Sequence, residues 1–200
     1  MAEEFDLPYP QYRCPSCGTD LPLDEARITV TCAAHLPEDE VAFTVREAKP
    51  GDKRAIERIC DRALGEIEVD TLGKTYDVLG GTNLVAEVRD ELAGLLSLSV
   101  QQGRGVIVLL SVYPEYQGKG LGAALVDTAT VWARDRGLPA IRVGISNDDI
   151  PLLCFYQRHG FAIDEIAVGA LADATGAAVP GFSGIPSRDE IRLHKPIQVV

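Results

Sequence analysis

The stretch that decides the fold is Val112-Tyr-Pro-Glu-Tyr-Gln117-Gly118-Lys119-Gly120-Leu121-Gly122, a glycine-rich turn between two regular elements. Before it, Val106–Val112 is a continuous aliphatic run that is typical of a strand buried on both faces. After it, apolar residues recur at helical spacing from about residue 120 to residue 136. A turn of this kind directs backbone N–H groups and the positive end of a helix at one point, so it predicts a phosphate site.

Strand and helix patterns alternate on both sides of this turn. Upstream, they predict a strand at Phe43–Glu47, a helix that starts at Asp52 and ends at Gly65, and a hairpin joined at Arg89-Asp90. Downstream, they predict a strand at Ala140–Ile145, a helix at about 149–159, and strands at Phe161–Ile166 and Glu190–Leu193. Residues 42–200 are therefore predicted to form an α/β domain with a mixed sheet. Residues 66–82 and 167–188 are predicted to be connections without regular structure.

The composition excludes several classes of protein. Apolar residues make up 46% of the 200 residues and charged residues 24%, which is ordinary for a globular protein and excludes a disordered or fibrous chain. The apolar runs are short, whereas a membrane-spanning helix needs about 20 apolar residues, so we expect no membrane partner. The N-terminus reads Met-Ala-Glu-Glu-Phe-Asp and has no apolar segment, so we expect no secretion signal and a cytoplasmic location.

The net charge indicates which partners the protein attracts. Thirty acidic residues against nineteen basic ones give a net charge of −11, and the first forty residues hold nine acidic and only two basic residues. Binding to nucleic acid needs a basic face, so we expect neither DNA nor RNA as a partner. A negative surface attracts small cations, which favours an amine as the substrate.

Residues 1–41 contain a cysteine and histidine pattern typical of a metal site. Cys14 and Cys17 form one pair, Cys32 and His35 form the second, and fourteen residues separate the pairs. Four such ligands suit tetrahedral Zn²⁺, and a segment this short cannot bury enough apolar surface to fold without a metal. Because all four ligand positions are filled, we predict a structural zinc in a module that resembles a zinc ribbon. The alternative is a set of unrelated thiols and a surface histidine.

Two motifs together resemble a known superfamily. The pattern Gln117-x-x-Gly120-x-Gly122, after a strand that ends Val112-x-Pro114, resembles the acetyl-CoA signature of the GNAT superfamily of N-acetyltransferases. Downstream, Phe155-Tyr156-Gln-Arg-His-Gly160-Phe161 resembles the later helix-to-strand motif of that superfamily. The resemblance covers about three quarters of the chain. It implies a mixed, mostly antiparallel central sheet with interleaved helices.

The resemblance also implies a reaction and a set of site residues. In this superfamily the amine attacks the thioester of acetyl-CoA, and the acetyl group is transferred directly. The pantetheine arm would pair with Leu110, Ser111 and Val112, and the pyrophosphate would lie on the backbone of Gln117, Gly118, Lys119, Gly120, Leu121 and Gly122. Tyr156 lies where the superfamily places the general acid that protonates the departing thiolate. The alternative is that Tyr156 is only a packing residue.

The sequence departs from the superfamily pattern at two places. Many members carry an asparagine before the last helix where this chain has Asp149, and Asn147 lies two residues earlier as the candidate contact to the pantetheine arm. Some members carry a glutamate base on the central strand, where this chain has Val106. Glu87, on a neighbouring strand, is a candidate base, although its position favours a solvent-facing strand residue. No base is therefore assigned.

The sequence is compatible with two functions. The first is an acetyl-CoA-dependent N-acetyltransferase that acts on the amine of a small molecule, with a homodimer allowed. The second is a catalytically inactive domain of the same fold that binds CoA or a protein, with the zinc module as its docking element. In the first case, the acceptor is expected to contact residues 66–82 and 167–188.

Overall fold

The computed structural model describes residues 41–172, 177–178, 180–181 and 184–198, together with two short strands among the first forty residues. The chain divides between Glu40 and Val41 into two units, and each is described by itself. In the first unit, β1 (Tyr12–Arg13) pairs antiparallel with β2 (Asp20–Leu21). The four predicted zinc ligands lie outside the described residues.

The second unit is built on a seven-stranded sheet with three helices. Its helices are α1 (Lys53–Leu64), α2 (Leu121–Asp135) and α3 (Ile150–Arg158). Its strands are β3 (Thr44–Glu47), β4 (Glu68–Thr71), β5 (Lys74–Asp77), β6 (Thr82–Val88), β7 (Glu91–Gln101), β8 (Arg104–Val112), β9 (Ala140–Ser146), β10 (Ala162–Ala167) and β11 (Glu190–Pro196). The sheet order is β10-β11-β9-β8-β7-β6-β3, and all neighbours are antiparallel except β8 and β9. The predicted mixed, mostly antiparallel α/β fold is confirmed.

Helix α1 lies where the sequence pattern predicted it. Ile56, Ile59 and Cys60 are each no more than 3% exposed and form the apolar stripe that packs on the sheet. The helix ends at Gly65, whose φ of 78° lies in the left-handed region that favours glycine. The N–H of Gly65 donates to the carbonyl of Cys60 at 3.2 Å, so a carbonyl at the end of the helix is satisfied.

Apolar side chains cover both faces of the sheet. One core lies under α2 and α3 and includes Leu96, Ile107, Leu121, Leu125, Trp132, Ile141 and Tyr156. The other lies under α1 and the β4–β5 hairpin and includes Ile56, Ile59, Tyr76, Val85, Leu95, Val106 and Val108. Because β8 contributes to both cores, its sequence has no polar alternation over residues 106–110, as predicted for a strand buried on two sides.

One extra residue in β8 bends the strand away from β9. Ile107 lies opposite Leu98 of β7, but Leu109 lies opposite Ser97, so Val108 is the additional residue of a β-bulge. Val108 and Leu109 both pack in the core under α1, where regular alternation would place them on opposite faces. The parallel pairing with β9 covers residues 105–107 of β8 and stops at the bulge.

The structure corrects the prediction for residues 66–82, which contain a hairpin instead of an irregular connection. Strands β4 and β5 pair antiparallel across the two-residue turn Leu72-Gly73, where φ is 52° and 72°. A two-residue turn of this type needs positive φ at both positions. Leucine rarely adopts positive φ, so the sequence carries no strong turn signal there. The tertiary structure stabilises the turn, because the Leu72 side chain is 93% buried.

Glu190 fixes this hairpin to the sheet. Its buried carboxylate accepts hydrogen bonds from Oγ1 of Thr71 at 2.9 Å and from the N–H of Leu72 at 2.8 Å. Nε of Arg192 donates to the second carboxylate oxygen at 2.7 Å. The carboxylate lies directly over Gly144 of β9, and a Cβ on Gly144 would overlap both the carboxylate and the Thr71 hydroxyl.

We predict that Gly144→Ala destabilises the protein by roughly 1–3 kcal/mol, because the added methyl group displaces a carboxylate that is hydrogen-bonded inside the fold. The matched control is Gly51→Ala, since a Cβ at that position has no atom within 4 Å. Urea denaturation measures the free energy of unfolding of both variants. Equal stability of the two variants would contradict the anchoring role of Glu190.

Candidate functional site

A groove opens between β8 and β9 where the two strands separate. Beyond the bulge, residues 109–112 of β8 pair with β7 on one side only. Residues 144–146 of β9 pair with β11 only, whereas residues 141–143 pair with both β11 and β8. The edge of β8 that faces this opening therefore has no strand partner within the described part of the chain. An unpaired strand edge can hydrogen-bond to an extended ligand.

The glycine-rich turn lies at the end of this open edge. After a single 3₁₀ turn at Pro114–Tyr116, Gly118 and Gly120 have φ values of 75° and 89°. Glycine adopts this left-handed region without steric cost, and here it lets the chain enter α2 directly. Nε2 of Gln117 donates to the carbonyl of Val112 at 3.0 Å, which holds the turn against the end of the strand.

The N-terminus of α2 is the natural anion site of this turn. The carbonyl of Gly120 accepts the first helical hydrogen bond from Ala124 at 3.0 Å. The amides of residues 121–123 precede that bond, so no helical carbonyl is available to them. These donors coincide with the positive end of the helix dipole, and Lys119 adds a cation beside them. An anion such as a phosphate fits this position.

Helices α2 and α3 come together next to the groove at Gly122. A Cβ on Gly122 would lie 3.5 Å from the ring of Phe155 and 3.9 Å from Val112. Val112 and Leu110 pack against the core under α2 and α3. Ser111 lies opposite Leu95, whose side chain is in the core under α1, so Ser111 belongs to the other face. The structure thus brings the predicted strand residues and the predicted glycine turn together at one end of the groove.

Tyr156 lies in the core under α2 and α3. Its side chain is 1% exposed, and its ring makes edge-on contacts with Phe155 and Phe161 at centroid distances of 5.3 and 5.1 Å. Burial raises the pKa of the Tyr156 phenol well above its usual value, and the negative charge of Asp149 raises that pKa further. The phenol therefore keeps its proton at neutral pH.

Asn147 and Asp149 have different roles in the structure. Nδ2 of Asn147 donates to the carbonyl of Pro186 at 3.0 Å, and its Oδ1 accepts from the N–H groups of Arg188 and Asp189, both at 2.9 Å. Asn147 therefore holds the segment before β11, and one of its side-chain N–H groups has no partner among the described residues. Oδ1 of Asp149 accepts from the N–H of Leu152 at 2.9 Å and caps α3, as an asparagine also could.

The one sequence candidate for a general base, Glu87, is not placed to act as one. Val106, at the position where some members of the superfamily carry a glutamate, is fully buried and apolar. Glu87 lies on β6, two strands away from β8 in the sheet order, and binds the guanidinium of Arg46 at 2.7 Å. The same guanidinium binds Asp52 at 2.6 Å, so the residue predicted to cap α1 pairs with Arg46 instead.

A pocket of about 300 Å³ lies between the β4–β5 hairpin and the residues that follow β10. It is lined by Asp70, Thr71, Gly73, Lys74, Thr75, Ala170, Leu171, Glu190 and Arg192. The N–H of Leu171 donates to the carbonyl of Arg188 at 2.8 Å, which fixes one wall. The two connections singled out in the sequence do supply most of this lining. No sequence pattern indicated Glu190 and Arg192 as pocket residues, because their place in the pocket depends on the hairpin that closes over them.

The described part of the chain contains no group of three or more His, Cys, Asp or Glu residues that could hold a metal ion. None of its helices is long and apolar enough to cross a membrane. The zinc site predicted on Cys14, Cys17, Cys32 and His35 lies outside the described residues and stays a prediction.

Residues 54–161 match the family described as Acetyltransferase (GNAT) family, and this span runs from the start of α1 to the end of the Phe155–Phe161 motif. The chain belongs to the GNAT acetyltransferase family. It is therefore an enzyme of the N-acetyltransferase class, and the resemblance noted in the two sequence motifs is confirmed at the level of the family.

Known proteins resemble this GNAT protein over the same region. The uncharacterized protein YxbD of Bacillus subtilis (strain 168) is 31% identical over 113 residues, which cover 54% of this chain and 70% of that protein. A solved acetyltransferase of Bacillus subtilis in complex with CoA is 24% identical and covers 78% of this chain and 100% of its own, with a TM-score of 0.61. Nourseothricin acetyltransferase is 27% identical and covers 78% of this chain and 99% of its own, with a TM-score of 0.57.

Proposed function

We propose that this GNAT-family protein transfers the acetyl group of acetyl-CoA directly to an amine of a small molecule. The observation that carries the proposal is the open edge of β8 that leads into the glycine turn and the N-terminus of α2. This combination offers hydrogen-bond partners to an extended amide chain and, at its end, an anion site. Coenzyme A has both parts in that order, and a solved relative of the same fold holds CoA.

The donor is proposed to lie along the residues that the motifs indicate. The pantetheine amides pair with the backbone of Leu110, Ser111 and Val112. The pyrophosphate accepts hydrogen bonds from the backbone between Gln117 and Gly122. The contact predicted for Asn147 is less direct than the motif implies, because three of its hydrogen bonds already hold residues 186–189. We therefore assign to Asn147 the positioning of that segment, with one N–H left for the pantetheine arm.

The transfer step balances without a further reagent. The lone pair of the amine nitrogen attacks the carbonyl carbon of the thioester, and the tetrahedral intermediate then breaks its C–S bond. The sulfur leaves as a thiolate and takes a proton from the Tyr156 phenol. The nitrogen, which is positively charged after the attack, loses one proton to give the neutral amide, and water returns that proton to the Tyr156 phenolate. A thiol of this kind has a pKa of about 8.5, so it is a tolerable leaving group near neutral pH even before it is protonated.

The acceptor enters as an ammonium ion and must lose a proton before it attacks. Val106 cannot accept that proton, and Glu87 is bound to Arg46 far from the groove. We therefore propose that water carries the proton away from the amine. In this scheme the main contribution of the protein is to hold amine and thioester together in the correct orientation.

The pocket beside the β4–β5 hairpin is the proposed acceptor site. It lies on the face of the sheet to which Ser111 belongs, and its volume of about 300 Å³ is that of a small-molecule site. Glu190, which lines this pocket, lies over Gly144, the first residue of β9 beyond its pairing with β8. We therefore propose that an acceptor in this pocket meets a thioester that lies in the groove.

The first prediction for this function concerns Gly120, at the N-terminus of α2. Gly120→Glu places a carboxylate at the proposed pyrophosphate site, whereas Gly120→Ala adds the same backbone strain at φ 89° without charge. A Cβ there has room, since its nearest neighbour is Phe43 at 3.9 Å. We expect the glutamate variant to bind acetyl-CoA at least about tenfold more weakly than the alanine variant, which corresponds to ~1.4 kcal/mol. Calorimetry on folded protein measures both, and equal affinities would place the pyrophosphate elsewhere.

The second prediction concerns Tyr156 and separates a general acid from a packing residue. Tyr156→Phe keeps the ring contacts with Phe155 and Phe161 but removes the proton, so we expect kcat to fall by roughly ten- to a thousandfold at unchanged acetyl-CoA affinity. Because burial raises the pKa of Tyr156, wild-type kcat should not fall through loss of its proton below about pH 10. Release of CoA thiol measures the rate. Equal kcat in the two proteins would make Tyr156 a packing residue.

The third prediction concerns the N-terminal module, for which we propose one structural zinc held by Cys14, Cys17, Cys32 and His35. The spacing of the four residues supports it, and purified protein should then contain about one zinc per chain. Cys17→Ser should release the zinc and lower the stability of this module, with a smaller effect on acetyl-CoA binding. Cys154→Ser is the control, because Cys154 belongs to α3 of the other unit. Absence of zinc from freshly purified wild-type protein would refute the site.

A further inference from the structure

The pocket beside the β4–β5 hairpin contains four charged side chains, two acidic and two basic. They are Asp70, Lys74, Glu190 and Arg192. Their formal charges cancel, so the charge count alone does not decide which ligand the pocket takes. The charge of the ligand that this pocket binds depends on which of the four groups already have a partner in the protein.

Both carboxylates already accept hydrogen bonds from the protein, and Glu190 accepts them on both oxygens. Glu190 accepts hydrogen bonds from Thr71, Leu72 and Arg192. Asp70 accepts from Oγ1 of Thr75 at 2.5 Å, across the hairpin. A ligand ammonium at Glu190 would compete with the hydrogen bonds that hold the hairpin itself. Glu190 is therefore a structural acid, and Asp70 is exposed at the edge of the hairpin.

Both cations, in contrast, retain free donors. Arg192 uses Nε on Glu190 and Nη1 on Glu165, while its Nη2 has no hydrogen-bond partner within the described part of the chain. That Nη2 lies beside the turn of the hairpin, 4.0 Å from the Cβ position of Gly73. Nζ of Lys74 lies 4.9 Å from the centre of the Tyr76 ring, and the described residues give it no carboxylate partner. An ammonium and a guanidinium with unused N–H groups thus line one small pocket.

We propose that this pocket binds an anionic oxygen group of the acceptor, so that the substrate is a small amine that also carries a carboxylate or a phosphate. The inference rests on the proposed function and specifies its substrate class. Lys74 and Nη2 of Arg192 hold the anionic end, and the amine at the other end points toward the groove. Charge-assisted hydrogen bonds of this kind are roughly twice as strong as neutral ones, so the anionic group decides selectivity.

The test compares acceptors in matched pairs that differ only in the anionic group. β-Alanine is paired with ethylamine, lysine with 1,5-diaminopentane, and aminoethyl phosphate with ethanolamine, and release of CoA thiol is measured for each. We expect the member with the anionic group to have the higher kcat/KM in at least one type of pair. The first two pairs report on carboxylate recognition and the third on phosphate recognition.

Lys74→Met tests the residue assignment, because methionine keeps an apolar stem of similar length without the charge. We expect the selectivity for the anionic member over its neutral partner to fall at least tenfold through KM. Since both acceptors are compared in each variant, their different basicity cancels. Lys53→Met is the matched control, because it removes the same charge from the exposed start of α1 and should leave that selectivity unchanged.

The outcomes distinguish failure of the inference from failure of the proposed function. Acetylation of amines with no preference for an anionic group, or a selectivity that Lys74→Met leaves unchanged, would overturn the inference and leave the N-acetyltransferase function in place. Calorimetry of β-alanine and aminoethyl phosphate with the CoA-bound protein gives a second readout without turnover. If no amine causes release of thiol from acetyl-CoA and neither ligand binds, both the proposed function and the inference are wrong.

Discussion

The extra residue at Val108 is the constraint on which the rest of the site depends. A regular β8 would continue its parallel pairing with β9, and the sheet would close without a groove. Because the bulge turns Val108 and Leu109 toward the same core, the strand changes direction and its last residues lose contact with β9. The freed edge, the glycine turn and the N-terminus of α2 then follow in one continuous stretch of chain. The proposed donor site is therefore a consequence of one local irregularity in a central strand.

The proposed acceptor pocket depends on side-chain hydrogen bonds and not on the course of β8. The β4–β5 hairpin is attached to the sheet by one buried carboxylate, Glu190, and the segment before β11 is attached by one carboxamide, Asn147. Both anchors lie where β9 ends and β11 begins, opposite the open edge of β8. A polar group with several partners in the protein favours one arrangement of the elements that it joins, because any other arrangement loses those hydrogen bonds. These two residues thus set the distance between acceptor and groove.

Much of the fold could be predicted from the sequence, for identifiable reasons. The continuous aliphatic run of β8, the stripe of α1 with Gly65 after it, and the glycine turn into α2 are local patterns with one physical solution each. The hairpin at Leu72-Gly73 could not be predicted, because its turn is unfavourable for leucine and is stabilised by Glu190, 118 residues away. The bulge at Val108 likewise leaves no mark in an aliphatic run. For the same reason Glu190 and Arg192 could not be recognised as pocket residues before the hairpin was known.

This difference in physical origin explains why the donor site can be inferred from motifs whereas the acceptor cannot. The donor site consists of backbone groups, an unpaired edge and helix amides, so its sequence signature is the small set of glycines that permits the backbone conformation. The acceptor pocket consists of side chains contributed by two connections and one strand. Such side chains can change without altering the backbone that binds the donor. A family with this architecture keeps one donor motif while its acceptor pockets diverge, and the charges that remain unpaired in each pocket become the physical guide to its substrate.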